Sequence, residues 1–137
     1  MPESHTWDAK LDLGNEAMDH EHHLQVGLVS AFVDAIEQGR PGMARRLVDQ
    51  LLQYSIVHFG SEELLMEGTA YPERGPHARE HAVFLEQIRD MQRAYDAGDP
   101  DLATALAVEL RAALARHIND ADRRLASHAA PVARSSA

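Results

Sequence analysis

The sequence predicts an all-α protein, an antiparallel up-down-up-down four-helix bundle with an extended N-terminal arm. Four long stretches carry apolar residues at helical spacing, and glycine or proline separates each stretch from the next. The connections within the first pair and within the last pair are short, which favours antiparallel neighbours. The length of 137 residues fits one compact domain.

The arm comes first and has a different pattern from the helices. Apolar residues alternate with polar ones there, at Trp7, Ala9, Leu11 and Leu13. This period of two is typical of an extended segment with one buried side. A single strand is not stable alone, so we expect residues 1–15 to lie across the bundle and to bury Trp7.

The four helices are predicted at about residues 16–38, 43–67, 76–97 and 100–127. Gly39, Gly68 and Gly98 mark the ends of the first three. Pro76 suits the first turn of the third helix, and Asp99 suits the N-cap of the fourth. We therefore expect a bundle domain over residues 1–127 and a disordered tail over residues 128–137.

Composition excludes several classes of protein. The formal net charge of −9 argues against binding to nucleic acid or to anionic lipid heads. Neither an apolar run of membrane-spanning length nor a secretory signal pattern is visible. The absence of cysteine excludes disulfides and thiolate metal sites. We expect a cytoplasmic protein, monomeric, with no membrane or nucleic-acid partner.

Each predicted helix carries one or two possible metal ligands on its apolar face. These candidates are His22, His58, Glu62, His77, His81, His117 and Asp122. Buried carboxylates and imidazoles are costly unless hydrogen bonds or charges satisfy them. The candidates lie near alternating ends of successive helices, so an antiparallel bundle would bring all of them to one end. A bound dication, or two, would then supply the missing positive charge.

The fourth helix offers two aspartates. Asp120 has the better spacing from His117, but it lies on the polar face of the helix. Asp122 follows Leu114 and Ile118 along the apolar face. On a regular helix its offset of five residues would turn it about 140° away from His117. We choose Asp122, because a bridging carboxylate can approach from another side than a terminal imidazole.

The first helix offers three histidines close together. Only His22 lies on the apolar face that includes Met18 and Val26. His23 shares a face with polar and small residues, and His20 lies near a second line of small apolar residues. We therefore choose His22 as the ligand of this helix.

The number of candidates exceeds what one ion takes from protein, and two carboxylates can bridge two ions. Iron, zinc or manganese suits nitrogen-rich ligation with some oxygen, and spacing alone does not decide among them. Imidazoles outnumber carboxylates, whereas di-iron oxygenases and ferritins use glutamate-rich sets. Fewer anionic ligands stabilise high-valent iron less, which favours reversible oxygen binding.

The sequence resembles the hemerythrin family, specifically its bacterial single-domain members, over about residues 5–126. The matching stretches are Met18-Asp-His-Glu-His22, His58-Phe-Gly-Ser-Glu62-Glu, His77-Ala-Arg-Glu-His81 and His117-Ile-Asn-Asp-Ala-Asp122. Trp7 and Tyr71-Pro72 also look like family features.

The resemblance implies two iron ions joined by an oxo or hydroxo bridge. His77, His81 and His117 would bind one iron. His22 and His58 would bind the other, which would keep an open position for dioxygen. Glu62 and Asp122 would bridge the two irons. The implied oxygen-pocket candidates are Trp7, Ala113, Leu114 and Ile118.

One position departs from many relatives, which have a bulky aromatic residue where this chain has Ala113. A roomier pocket would admit water, so we expect faster autoxidation than in carriers with a closed pocket. The predicted function is oxygen carriage, storage or delivery rather than catalysis. The alternatives are oxygen or redox sensing through a protein partner, a di-iron enzyme acting on peroxide or nitric oxide, and a helical adaptor without metal.

Overall fold

The structure, a computed structural model, describes residues 9–130. Its helices are α1 Glu16–Glu37, α2 Pro41–Gly68, α3 Arg74–Asp96 and α4 Pro100–His117, the last continued by a π-helical segment Ile118–Asp122 and by α5 Arg123–Ala129. The main contacts run from α1 to α2, from α2 to α3, from α3 to α4 and from α4 back to α1. Short connections join consecutive helices, so the predicted all-α up-down-up-down bundle is confirmed.

The turns at residues 38–40 and 97–99 use the chemistry that the sequence indicates. Gly39 and Gly98 have positive φ angles of 67° and 81°. After each glycine, the next backbone N–H reaches back to a carbonyl of the last helical turn, at 2.9 Å from Arg40 to Ala35 and at 3.0 Å from Asp99 to Ala94. The Asp99 side chain then caps α4 by accepting a hydrogen bond from Leu102 N at 3.1 Å.

The turn between α2 and α3 differs from the prediction. Gly68 is the last residue of α2, and the positive φ angle of 53° belongs to Ala70 instead. The same hydrogen-bonding pattern closes this helix, with Tyr71 N 2.9 Å from Met66 O. Glycine spacing alone therefore placed the end of α2 at residue 67, one residue early.

The apolar core fills the half of the bundle that lies toward residues 38–40 and 97–99. Its largest fully buried side chains include Phe32, Leu51, Ile88, Met91 and Leu110. Aliphatic side chains dominate, as the low aromatic content of 5% requires. None of the helices within residues 9–130 combines the length and apolar character that a membrane crossing requires.

The N-terminal arm is only partly as predicted. Ala9–Leu11 form a 3₁₀ turn rather than an extended segment. A single strand would leave its ladder hydrogen bonds unmade, whereas the turn lets Asp12 N bond to Ala9 O at 3.1 Å. Arg123 fastens the arm to the bundle by donating to Lys10 O at 2.7 Å. Trp7 lies outside the described residues.

The C-terminal helix is slightly longer than predicted. It ends at Ala129, and His128 lies within it rather than in a disordered tail. His128 Nε2 lies 2.7 Å from Thr69 O, so this contact holds the last turn against the α2–α3 connection. Residues 131–137 of the predicted tail lie outside the described residues.

Candidate metal centre

All the predicted ligands meet at one end of the bundle, which we call the cluster end. They come from four helical elements and are at most 5% exposed: His22, His58, Glu62, His77, His81, His117 and Asp122. The antiparallel arrangement explains the meeting, since the cluster end holds the start of α1 and α3, the end of α2, and the π segment after α4.

The π-helical segment Ile118–Asp122 explains how the fourth helix supplies two ligands. A π turn takes more residues than an α turn, so residues five apart come to lie on one face. His117 Nε2 is accordingly 3.1 Å from Asp122 Oδ1. Asp120 instead points to solvent and pairs with Arg124 at 3.3 Å. The segment thus removes the 140° separation expected for a regular helix.

Glu62 lies at the centre of the cluster. Its Oε2 is 3.1 Å from His22 Nε2 and 3.2 Å from His58 Nε2. Its Oε1 is 3.1 Å from His77 Nε2 and 3.0 Å from His81 Nε2. One carboxylate therefore divides its two oxygens between two pairs of imidazoles, which is the arrangement a bridging ligand needs.

Asp122 lies beside Glu62 and divides its oxygens in the same sense. Its Oδ2 is 2.9 Å from His22 Nε2, and its Oδ1 is 3.0 Å from His77 Nε2. Ligand atoms within 4.8 Å of one another form two groups. The larger group contains Glu62, His77, His81, His117 and Asp122, and the smaller contains His22, His58 and Glu62. The cluster therefore has two unequal halves.

Several atoms facing the cluster have no hydrogen-bond partner among the described residues. They are His58 Nε2, His81 Nε2, His117 Nε2 and Asp122 Oδ1, all fully buried. The three nitrogens lie within 3.2 Å of carboxylate oxygens, yet without hydrogen-bond geometry. Unsatisfied buried polar atoms are rare in proteins. Imidazole nitrogens and carboxylate oxygens aimed at a common point fit a pair of transition-metal ions.

The electrostatics of the cluster show how closely its charges are coupled. Burial lowers the pKa of His22, but the nearby carboxylates of Asp122 and Glu62 outweigh it and raise that pKa to about 9. The same causes raise the pKa of His77 to about 9. Burial raises the pKa of Glu62 and Asp122, but the imidazoles lower both well below their usual range. In the metal-free protein, these shifts favour protonated imidazoles beside ionised carboxylates.

Three glutamates outside the cluster accept hydrogen bonds from histidines of the cluster and so orient their rings. Glu21 on α1 accepts from His58 on α2 at 2.6 Å, and Glu63 on α2 accepts from His81 on α3 at 3.0 Å. Glu80 on α3 accepts from His117 on α4 at 2.5 Å. Each bond uses Nδ1, which leaves Nε2 directed at the cluster and fixes the ring plane. Each of the first three helices thus supports a histidine of the next helix.

Sequence reasoning missed these glutamates. A signal existed, because each one lies directly beside a predicted ligand in the chain, as Glu21 beside His22 and Glu80 beside His81. The spacing alone does not show which histidine such a glutamate contacts. They are also partly exposed, so a search for buried polar residues does not find them.

The structure also places the two alternative histidines of α1 and three of the four oxygen-pocket candidates. His20 and His23 are exposed, in line with the choice of His22. Leu114 and Ile118 are 1% exposed; Leu114 lies three residues before His117, and Ile118 directly follows it. Ala113 is partly buried and packs against the apolar core. The fourth pocket candidate, Trp7, is outside the described range.

Comparison with known families agrees with this geometry. The family model described as "Hemerythrin HHE cation binding domain" matches residues 13–129. The chain belongs to the hemerythrin family.

Curated hemerythrin relatives match most of the chain. A bacteriohemerythrin of Ralstonia nicotianae is 31% identical over 117 residues, covering 85% of this chain and 82% of that protein. A bacteriohemerythrin of Stenotrophomonas maltophilia is 27% identical over 116 residues, covering 85% and 75%. Myohemerythrin-1 of Phascolopsis gouldii is 28% identical over 104 residues, covering 75% and 82%. The hemerythrin domain of this chain is thus similar to bacterial and animal members alike.

Proposed function

We propose that this protein binds dioxygen reversibly at two iron ions held by His22, His58, Glu62, His77, His81, His117 and Asp122. The observation that carries the proposal is the division of the cluster into two unequal halves that share Glu62. When bound, the iron pair supplies the electrons that dioxygen binding requires.

The two halves of the cluster receive different numbers of imidazoles from the chain. His77, His81 and His117 supply three imidazoles to one half, and Glu62 and Asp122 reach both halves. His22 and His58 supply only two imidazoles to the other half. The smaller half therefore has room for a small external ligand, and the larger half is filled by the protein.

The surroundings of the cluster favour binding over catalysis. Among the described residues, every buried carboxyl or imidazole group belongs to the cluster itself. An enzyme that turns over peroxide or nitric oxide would use a separate acid or base to move protons. Phe59 instead stacks on the ring of His81, with centroids 4.1 Å apart, and so places apolar surface next to the cluster. These features support carriage, storage or delivery of oxygen.

The proposal is tested by an absorption spectrum of the iron-loaded protein, reduced without air and then exposed to it. We expect new visible bands that appear with oxygen and disappear under vacuum over repeated cycles. The Asp120→Asn variant serves as control and should behave like the wild type, because Asp120 is exposed and faces away from the cluster. One-way bleaching to an oxidised form, or a preparation that takes up zinc but no iron, would contradict reversible binding.

A further inference from the structure

Three buried polar residues within the described range do not belong to the proposed ligand set: Gln25, Ser30 and Ser55. Two of them are hydrogen-bonded to each other. Gln25 Nε2 on α1 donates to Ser55 Oγ on α2 at 2.9 Å. Gln25 is 1% exposed and Ser55 is 0% exposed, so water does not satisfy either group.

This pair lies directly beside the smaller half of the cluster. Gln25 follows His22 by three residues, and Ser55 precedes His58 by three residues. The two helices are antiparallel, so both offsets lead in the same direction, about 4.5 Å along the bundle toward its interior. The rings of His22 and His58 meet with centroids 5.0 Å apart. The Gln25–Ser55 bond therefore crosses between α1 and α2 one turn below that meeting point.

Packing does not account for a polar pair at this place. Val29, Phe59 and Leu114 are buried nearby and contribute apolar surface. Replacing both partners of a buried hydrogen bond by apolar groups of similar shape is often neutral or stabilising. Aliphatic side chains at positions 25 and 55 together would thus serve the fold as well as this polar pair does.

An amide has more hydrogen-bonding capacity than this bond uses. The Gln25 nitrogen carries two N–H donors, and Ser55 accepts one of them. The bond to Ser55 also fixes the plane of the amide, so the second N–H has a set direction. The structure therefore places an oriented donor on the interior side of the His22–His58 half.

We propose that Gln25, oriented by Ser55, donates a hydrogen bond to the small ligand that binds at the His22–His58 half, and so determines which ligands the site prefers. The inference rests on the proposed function, because it needs the iron pair in place. The preferred class is a small anion, or another small ligand that offers a hydrogen-bond acceptor when it is bound at the site.

The test uses azide as the probe on the oxidised, iron-loaded protein. Azide affinity is measured by absorption titration in the wild type, Gln25→Leu and Ser55→Ala. We expect Gln25→Leu to bind azide about tenfold more weakly, which corresponds to the loss of one hydrogen bond. Ser55→Ala keeps the donor but frees its orientation, so we expect a smaller loss, about threefold.

Ser30→Ala is the matched control, since Ser30 is a buried hydroxyl on the same helix, eight residues after His22. It should leave azide affinity unchanged. The infrared stretching band of bound azide should also shift in Gln25→Leu but not in Ser30→Ala. A purely structural role for Gln25 would not move that band.

Iron content and thermal unfolding of each variant separate the possible failures. Two irons per chain in every variant with equal azide affinities and unshifted bands would overturn the role of Gln25 and leave the iron centre intact. An equal loss in Ser30→Ala would also overturn it. A wild-type protein that retains no iron would overturn the proposed function together with this inference.

Discussion

The two ends of the bundle are built on opposite principles. The cluster end buries seven imidazole and carboxylate side chains. The far end, closed by the turns at residues 38–40 and 97–99, buries Phe32, Ile88 and Met91 among other apolar residues. Apolar burial stabilises a fold, and polar burial costs free energy until something satisfies it. The apolar core toward the far end therefore offsets most of the cost of polar burial at the cluster end, where a second, smaller group of buried apolar residues also lies.

The turns at the two ends of the bundle also differ in backbone strain. At the far end, Gly39 and Gly98 adopt positive φ without strain. At the cluster end, Ala70 adopts a positive φ of 53°, where a Cβ is unfavourable. Both differences place a local cost in stability at the end of the bundle that holds the site.

The largest effect is expected from removing a bridging ligand. Asp122→Asn should reduce the iron content from two per chain to one or none, because Asp122 Oδ2 and Oδ1 reach His22 and His77 in different halves. Elemental analysis of the purified protein measures this. Asp120→Asn is the control and should retain both irons. Equal iron content in the two variants would show that the π segment does not bring Asp122 into the site.

The next effect should arise at the far end. Leu51 is fully buried in the apolar core, and Leu51→Ala should lower the free energy of unfolding by about 2–5 kcal/mol through lost burial and a residual cavity. Denaturant unfolding measures the loss, and iron content should stay at two. Loss of iron in this variant at temperatures where it remains folded would mean that the two ends are not independent.

The glutamates that support the histidines should have intermediate effects. Glu63→Gln and Glu80→Gln should weaken metal binding about 10–100-fold, since such supporting contacts typically contribute that much. Competition with a chelator measures the affinity. Glu86→Gln is the matched control, because Glu86 pairs with Arg93 on the exposed surface of α3. Metal affinities equal to that of Glu86→Gln would show that Glu63 and Glu80 do not support metal binding.

A graded effect is expected from pH, with opposite signs for the two forms of the protein. In the metal-free protein, the pKa of His22 and of His77 is raised from 6.5 to about 9. Their contribution to stability is complete below pH 6.5 and is lost as the pH rises through 9. In the iron-loaded protein, protons compete with metal, so stability should rise with pH over the start of that window.

Thermal unfolding of both forms between pH 6 and pH 9 tests this contrast. The two curves should diverge as the pH rises. Parallel curves would mean that metal and protons do not occupy the same groups.

The smallest effect concerns the strained turn. Ala70→Gly should raise the free energy of unfolding by about 0.5–1 kcal/mol, because glycine accepts a positive φ without the Cβ penalty. Gly98→Ala, at the equivalent position of the far end, should lower it by a similar amount. A loss of stability in Ala70→Gly would contradict the assignment of strain to the cluster end.

Much of the fold follows from sequence periodicity. His77, His81, Phe84 and Ile88 recur at helical spacing, and a side chain on such a face is buried whether it is apolar or a ligand. The position of each ligand along its helix can also be predicted from the sequence, because antiparallel packing determines which helix ends meet.

The remaining features depend on how the helices are rotated and distorted. The sequence around Asn119 contains no signal that separates a π turn from an α turn. The contact between His117 and Asp122 therefore cannot be predicted from the sequence. Glu21 contacts a histidine on another helix, which no spacing within α1 reveals. Gln25 is a polar residue that the sequence does not mark as buried, and only the structure shows its hydrogen bond to Ser55.

The central claim is that the cluster end is built around two metal ions. The most direct measurement is a titration of the metal-free protein with ferrous iron under anaerobic conditions, with the unfolding temperature recorded at each step. We expect the unfolding temperature to rise until two equivalents are bound and then to stay nearly constant. A plateau at one equivalent, or an unfolding temperature that iron does not change, would contradict it.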